Sequence, residues 1–226
     1  MHVQTTGDRQ EKTIGGLHVF LEHLALKITN PEENKRALDV GCGSGAWLER
    51  LYAKTKWELN GIDIFPPEPP STRFRFIEQD LNSNCNLEDN IGRFDLVKCI
   101  EVIEHVENLG LLLDLLESLL APSDILLLTT PNVEGLRARL RFFVTGWLPN
   151  FDQKGDPTHL FPLIEDTFRK MLKRRRMVID TVYQYPEDPR KTLMYKSQIN
   201  TLSQLLWRFL PDKKFGDICI YVIRKR

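Results

Sequence analysis

Leu17, Phe20, Leu24 and Ile28 recur at helical spacing through IGGLHVFLEHLALKI, which predicts an amphipathic helix ending near Asn30-Pro31. From residue 37 the pattern changes to short apolar runs alternating with helix-like segments. These are ALDV, GAWLERLYAK, WELNGIDI, FRFIEQ, FDLVKCI, a Leu-rich stretch to Leu120, and DILLLTT. Strand-helix alternation of this kind predicts a mostly parallel sheet covered on both faces. FPPEPPS, from Phe65 to Ser71, holds four prolines that cannot donate intrahelical hydrogen bonds, so a loop is expected there. After Pro131 a helix is predicted to about Phe143, followed by an irregular insertion, GWLPNFDQKGDPTH. The tail predicts a helix over 163–174, a strand from Met177 to Tyr185, a helix around Gln198 to Phe209 and the strand ICIYVI.

With 226 residues, 42% of them apolar and 27% charged, the chain has the composition of one globular domain. Thirty-one basic residues balance thirty-one acidic ones, so no overall field recruits nucleic acid or an anionic membrane; nucleic acid is disfavoured as a partner but not excluded. Cys42, Cys85, Cys99 and Cys219 form no CxxC pair and read as reduced thiols, which fits a cytoplasmic location. The polar start MHVQTTGDRQEKT lacks an apolar signal-peptide core. Later apolar runs are cut by Asp114, Glu117 and Asp124, so neither secretion nor a membrane span is expected.

Ala37 to Gly45, ALDVGCGSG, is an apolar strand that enters a glycine-dense turn and then a helix. Such a turn lets backbone approach a ligand, and the helix N-terminus offers free N–H groups and the positive end of its dipole. The spacing G-x-G-x-G differs from the G-x-G-x-x-G of dinucleotide sites, which makes an NAD-linked oxidoreductase a distant alternative.

LDVGCGSG resembles the first motif of class I S-adenosylmethionine-dependent methyltransferases, and later segments agree in order and spacing over residues 37 to about 140. Within that family the chain is most similar to bacterial members with E-x-x-E-H after the fourth strand, among them ubiquinone-pathway O-methyltransferases and enzymes acting on cell-surface glycans. The resemblance implies a single three-layer α/β domain with a seven-stranded sheet of order 3-2-1-4-5-7-6, strand 7 antiparallel. Residues 1–30 would form an N-terminal cap whose helix covers the cofactor, 37–140 the cofactor-binding core, 145–162 the acceptor-site insertion and 163–226 the C-terminal helices and strands. It implies S-adenosylmethionine as cofactor, held by Asp39, Gly41, Cys42, Gly43, Asp63, Ile64, Asp80, Leu81 and Cys99. Asp63 would bond the ribose hydroxyls, a task suited to a two-oxygen acceptor, and Asp80 would receive the adenine amino group.

Methyl transfer from a sulfonium is an in-line displacement that depends on alignment and desolvation. A hydroxyl acceptor also needs a base, and His105, Glu101 and His159 are the catalytic candidates, His105 first. The implied activity is O-methylation of a small-molecule or glycan-type acceptor. Glu101, Glu104 and His105 share a face if their turn is helical, and with His159 they resemble the site of metal-dependent small-RNA 2′-O-methyltransferases. The same residues occur in metal-free relatives, so no metal ligand is assigned. A non-catalytic cofactor-binding partner subunit is a further alternative. The basic run Arg169 to Arg176 reads as a solvated helix end or a phosphate grip. Phe142, Phe143, Trp147, Phe151 and Phe161 read as an acceptor-pocket wall or as packing for extra helices.

Overall fold

The computed structural model describes residues 16–83, 87, 91–153, 155–187 and 215–226. Seven strands form one sheet in the order β3-β2-β1-β4-β5-β7-β6, as the sequence implied. The strands are β1 (Arg36–Val40), β2 (Glu58–Asp63), β3 (Arg75–Glu78), β4 (Phe94–Ile100), β5 (Leu120–Pro131), β6 (Met177–Tyr185) and β7 (Ile218–Lys225). The first five pair in parallel, while β7 runs antiparallel to both β5 and β6. The helices are α1 (Leu17–Ile28), α2 (Ala46–Tyr52), α3 (Leu109–Ser118), α4 (Leu136–Thr145) and α5 (Glu165–Arg174).

The central strands are near-continuous apolar runs because both faces are covered. Alternate residues feed two separate cores: Leu38, Val97 and Leu126 pack with α3 and α5, whereas Ala37, Leu96 and Leu127 pack with α1 and α2. The segment from Phe65 to Ser71 is free of helix, as its prolines require. β5 starts earlier than DILLLTT, at Leu120, but its register with β4 shifts between Phe94 and Leu96, where Ser123 adopts φ 76. The insertion after α4 is irregular, and α4 ends two residues beyond Phe143, at a left-handed Gly146. The helix expected around Gln198 to Phe209, and Cys85, lie outside the described residues.

α1 lies across the end of α2, where its buried Glu22 pairs with Arg50 and Lys54, and its Phe20 touches Tyr183 and Tyr185 at the end of β6. The basic run closes α5 and leads into β6. Arg169 pairs with Glu165 and Arg175 with Asp114, while Lys173 and Arg174 complement the helix C-terminus. Phe142, Phe143 and Trp147 are exposed, so they do not pack an extra helix onto the sheet. Among the described residues no helix is long and apolar enough to cross a membrane.

Candidate active site

Every parallel strand of the central sheet points its C-terminal end at one edge, and the candidate residues gather there. The glycine turn after β1 folds back on β2, with Gly41 N–H and Cys42 N–H both donating to the Ile62 carbonyl at 2.8 and 3.0 Å. Gly41 is required by packing, since a Cβ there would stand 2.3 Å from Val102 Cγ2. Gly43 differs: at φ 51 its hypothetical Cβ meets nothing within 4 Å, so this part of the turn fronts open space. Asp63, at the end of β2, reaches the same spot. One oxygen accepts from Gly43 N–H at 2.7 Å and the other from Ile64 N–H at 2.8 Å. This fixes the carboxylate against the turn while leaving lone pairs for a ligand. Ile64 is exposed beside it. Asp80, past the end of β3, is exposed and accepts from Asn82 N–H at 2.9 Å, with Leu81 packed on the core.

Three other predicted cofactor positions have their side chains in the interior. Asp39 is fully buried, and Lys98 of β4 donates to both of its oxygens at 2.8 and 2.9 Å, with the ammonium 5.1 Å from the Trp47 ring. Burial pushes the Asp39 carboxyl up to about 6, with Lys98 pulling it down. The Cys42 and Cys99 thiols are buried and reduced, and burial raises both. The face that Cys42 offers a ligand is therefore backbone. His18 of α1 lies on the same side of the sheet, and its Nδ1 has no hydrogen-bond partner among the described residues. Burial first, then the charges of Lys98 and Arg50, lower it to about 3.

The second half of the site follows β4. Glu101 has a left-handed φ of 50 and is held in it by Thr129 of β5, whose hydroxyl accepts from Glu101 N–H at 3.1 Å and donates to its carboxylate at 2.9 Å. Burial raises Glu101 to about 7. The following residues form a turn rather than a helix. Glu104 is fully buried and, among the described residues, has no salt-bridge partner; burial with the nearby Glu101 charge raises it to about 9, against a lowering by the backbone and the Thr130 hydroxyl. The insertion packs against this turn: Leu160 N–H donates to the Glu104 carbonyl at 2.7 Å, and His105 Nδ1 meets Thr158 Oγ1 at 2.8 Å. The His105 and His159 rings stand edge to face at 4.6 Å, with Phe151 packed on His159. Burial and His105 lower the His159 imidazole.

The structure thus brings Glu104, His105 and His159 together, with one donor atom of each within 4.8 Å of the others, and leaves Glu101 turned to Thr129. A carboxylate and two imidazoles are a donor set suited to a divalent transition ion. Sequence reasoning missed Lys98, Thr129, Asp156 and Thr158. Lys98 had a signal, since ALDV carries one charge and FDLVKCI carries a lysine in its middle besides Asp95 near its start, and opposite charges in neighbouring buried strands must pair.

The profile of the methyltransferase domain family matches residues 9–176. The ubiquinone biosynthesis O-methyltransferase of Xanthomonas campestris pv. campestris is 29% identical over 133 residues, 55% of this chain and 54% of that protein. The chain spans about half the length of the curated relatives it matches first. A SAM dependent methyltransferase from Archaeoglobus fulgidus superposes with a TM-score of 0.61 at 21% identity, over 92% of this chain and 94% of that one. The small RNA methyltransferase HEN1 superposes with a TM-score of 0.62 at 17% identity, over 98% of this chain and 27% of that one. The chain belongs to the methyltransferase domain family, with the class I fold and S-adenosylmethionine as cofactor.

Proposed function

We propose that the protein transfers a methyl group from S-adenosylmethionine to a hydroxyl of a small-molecule or glycan-type acceptor, at the sheet edge between Asp63 and His105. The observation that carries this reading is the pairing of an open glycine turn at Gly43, braced by Asp63, with a cluster of two imidazoles and a neutral-leaning acid one strand away. When bound, the cofactor supplies an electrophilic methyl group. The chain's own residues do the rest. Asp63 and the Gly43 backbone bind and orient the ribose side, and Asp80 the adenine side. Phe151 and the insertion exclude water from the acceptor, and a His105 ring nitrogen takes the hydroxyl proton as general base. The O-methyltransferase named among the relatives supports an oxygen acceptor.

A second reading is favoured by the donor set alone: Glu104, His105 and His159 would hold a divalent ion, which would make a bound hydroxyl more acidic. The buried Glu104 carboxyl, which has no counter-charge among the described residues, fits such an ion. Calorimetric titration with S-adenosylhomocysteine tests the cofactor site. Asp63→Ala is expected to weaken binding roughly 10- to 100-fold, the loss of hydrogen bonds to a charged acceptor. Absence of binding to the folded wild-type protein would remove the proposal. Repeating the titration with manganese, before and after EDTA treatment, separates the two readings.

A further inference from the structure

The C-terminal end of the irregular insertion does more than cover His105. Thr158 Oγ1 lies 2.8 Å from His105 Nδ1 and 2.6 Å from Asp156 Oδ1, and the same Asp156 oxygen accepts from Thr158 N–H at 2.9 Å. Asp156 is exposed, and these two hydrogen bonds hold its carboxyl below the ordinary carboxylate range, so it is an ionised, acceptor-only group. A hydroxyl has one proton. Thr158 gives that proton to Asp156, which leaves only lone pairs to meet His105. The imidazole nitrogen at 2.8 Å must then be the donor.

We infer that Asp156 and Thr158 fix neutral His105 as its Nδ1–H tautomer, so that Nε2 is the nitrogen left with a lone pair for the acceptor hydroxyl. Free imidazole side chains in water favour the opposite tautomer, so an imposed bond is needed to reverse the preference. The arrangement has the logic of a base oriented by a third group, with a hydroxyl between the imidazole and the carboxylate. It is held in place by chain contacts independent of the tautomer: Leu160 N–H and Phe161 N–H both donate to the Glu104 carbonyl, at 2.7 and 3.4 Å, tying the loop to the turn that carries His105. Thr158 and Asp156 are positioning residues, since they act through His105. The role assigned to Nε2 rests on the proposed function, whereas the tautomer does not.

The test is long-range ¹H–¹⁵N correlation of the imidazole rings in ¹⁵N-histidine-labelled protein, with pH held where His105 is neutral and its signals assigned by loss in His105→Gln. The expected spectrum has a protonated Nδ1 and an unprotonated Nε2. Thr158→Val, nearly isosteric at an exposed position, should shift His105 toward the Nε2–H form, and Thr158→Ser should keep the wild-type pattern. In turnover, Thr158→Val should lower kcat about 10- to 100-fold, as loss of an outer-sphere partner does, with S-adenosylhomocysteine affinity unchanged. An Nε2–H tautomer in the wild type, or a tautomer indifferent to Thr158→Val, overturns the inference. Because the spectra need neither cofactor nor acceptor, failure of the methyltransferase reading would show in the calorimetry and leave the tautomer result standing.

Discussion

Asp39 and Glu104 are both carboxylates removed from solvent, on adjacent strand ends of one sheet, yet their surroundings are opposite. Asp39 has an ammonium on both oxygens, and that ammonium stands over the Trp47 ring. Glu104, among the described residues, has no cation beside it, and only the backbone and the Thr130 hydroxyl ease its burial. A buried ion pair with good geometry roughly offsets its own desolvation, whereas a buried acid with no counter-charge costs stability. The first ties β1 to β4 beneath the glycine turn, whereas the second stands in the donor set with His105 and His159, where the proposed function would use it.

The largest effect should come from splitting the satisfied pair. Lys98→Met leaves Asp39 buried without a counter-charge and should lower the unfolding free energy by about 3–5 kcal/mol in urea titrations. Adding Asp39→Asn should recover part of it, with a coupling energy above about 1 kcal/mol. An additive double mutant would mean that the pair is not a unit.

Per pH unit, a smaller effect is expected from titration. His18, beside Lys98, is neutral in the folded state because its value is lowered to about 3, while unfolded chains protonate it near 6.5. The unfolded state binds the extra proton in that window, so the stability contribution is full above 6.5 and is lost as pH falls toward 3, at roughly 1.4 kcal/mol per unit. His18→Gln should flatten that part of the stability curve. An unchanged slope would show that His18 is not held neutral.

The fold was largely legible because its signals are local: apolar runs of strand length, a glycine turn where β1 meets α2, prolines where no helix can form. Met177 and Tyr185 bound β6 as expected, since its alternation is bounded by basic and proline residues. The site was half legible. Asp63 and His105 sit at strand ends that sequence alone can locate. Thr158 and Asp156 were invisible as partners because their role depends on a contact across 53 residues. Lys98 was overlooked although burial of a charge in a strand demands a partner, and the oxygens of Asp39 face it.

The smallest stability effect, and the most direct test, comes from Glu104→Gln. Urea unfolding and methyl transfer to a hydroxyl acceptor should be measured on the same preparation at neutral pH. The account predicts that replacing this buried acid by its neutral isostere leaves stability unchanged or raised by up to about 1 kcal/mol, because no ion pair is lost, while the transfer rate falls roughly 100-fold if Glu104 serves in the donor set beside His105. A variant that is destabilised by several kcal/mol yet transfers methyl groups at the wild-type rate would contradict it, and would make Glu104 a structural residue like Asp39.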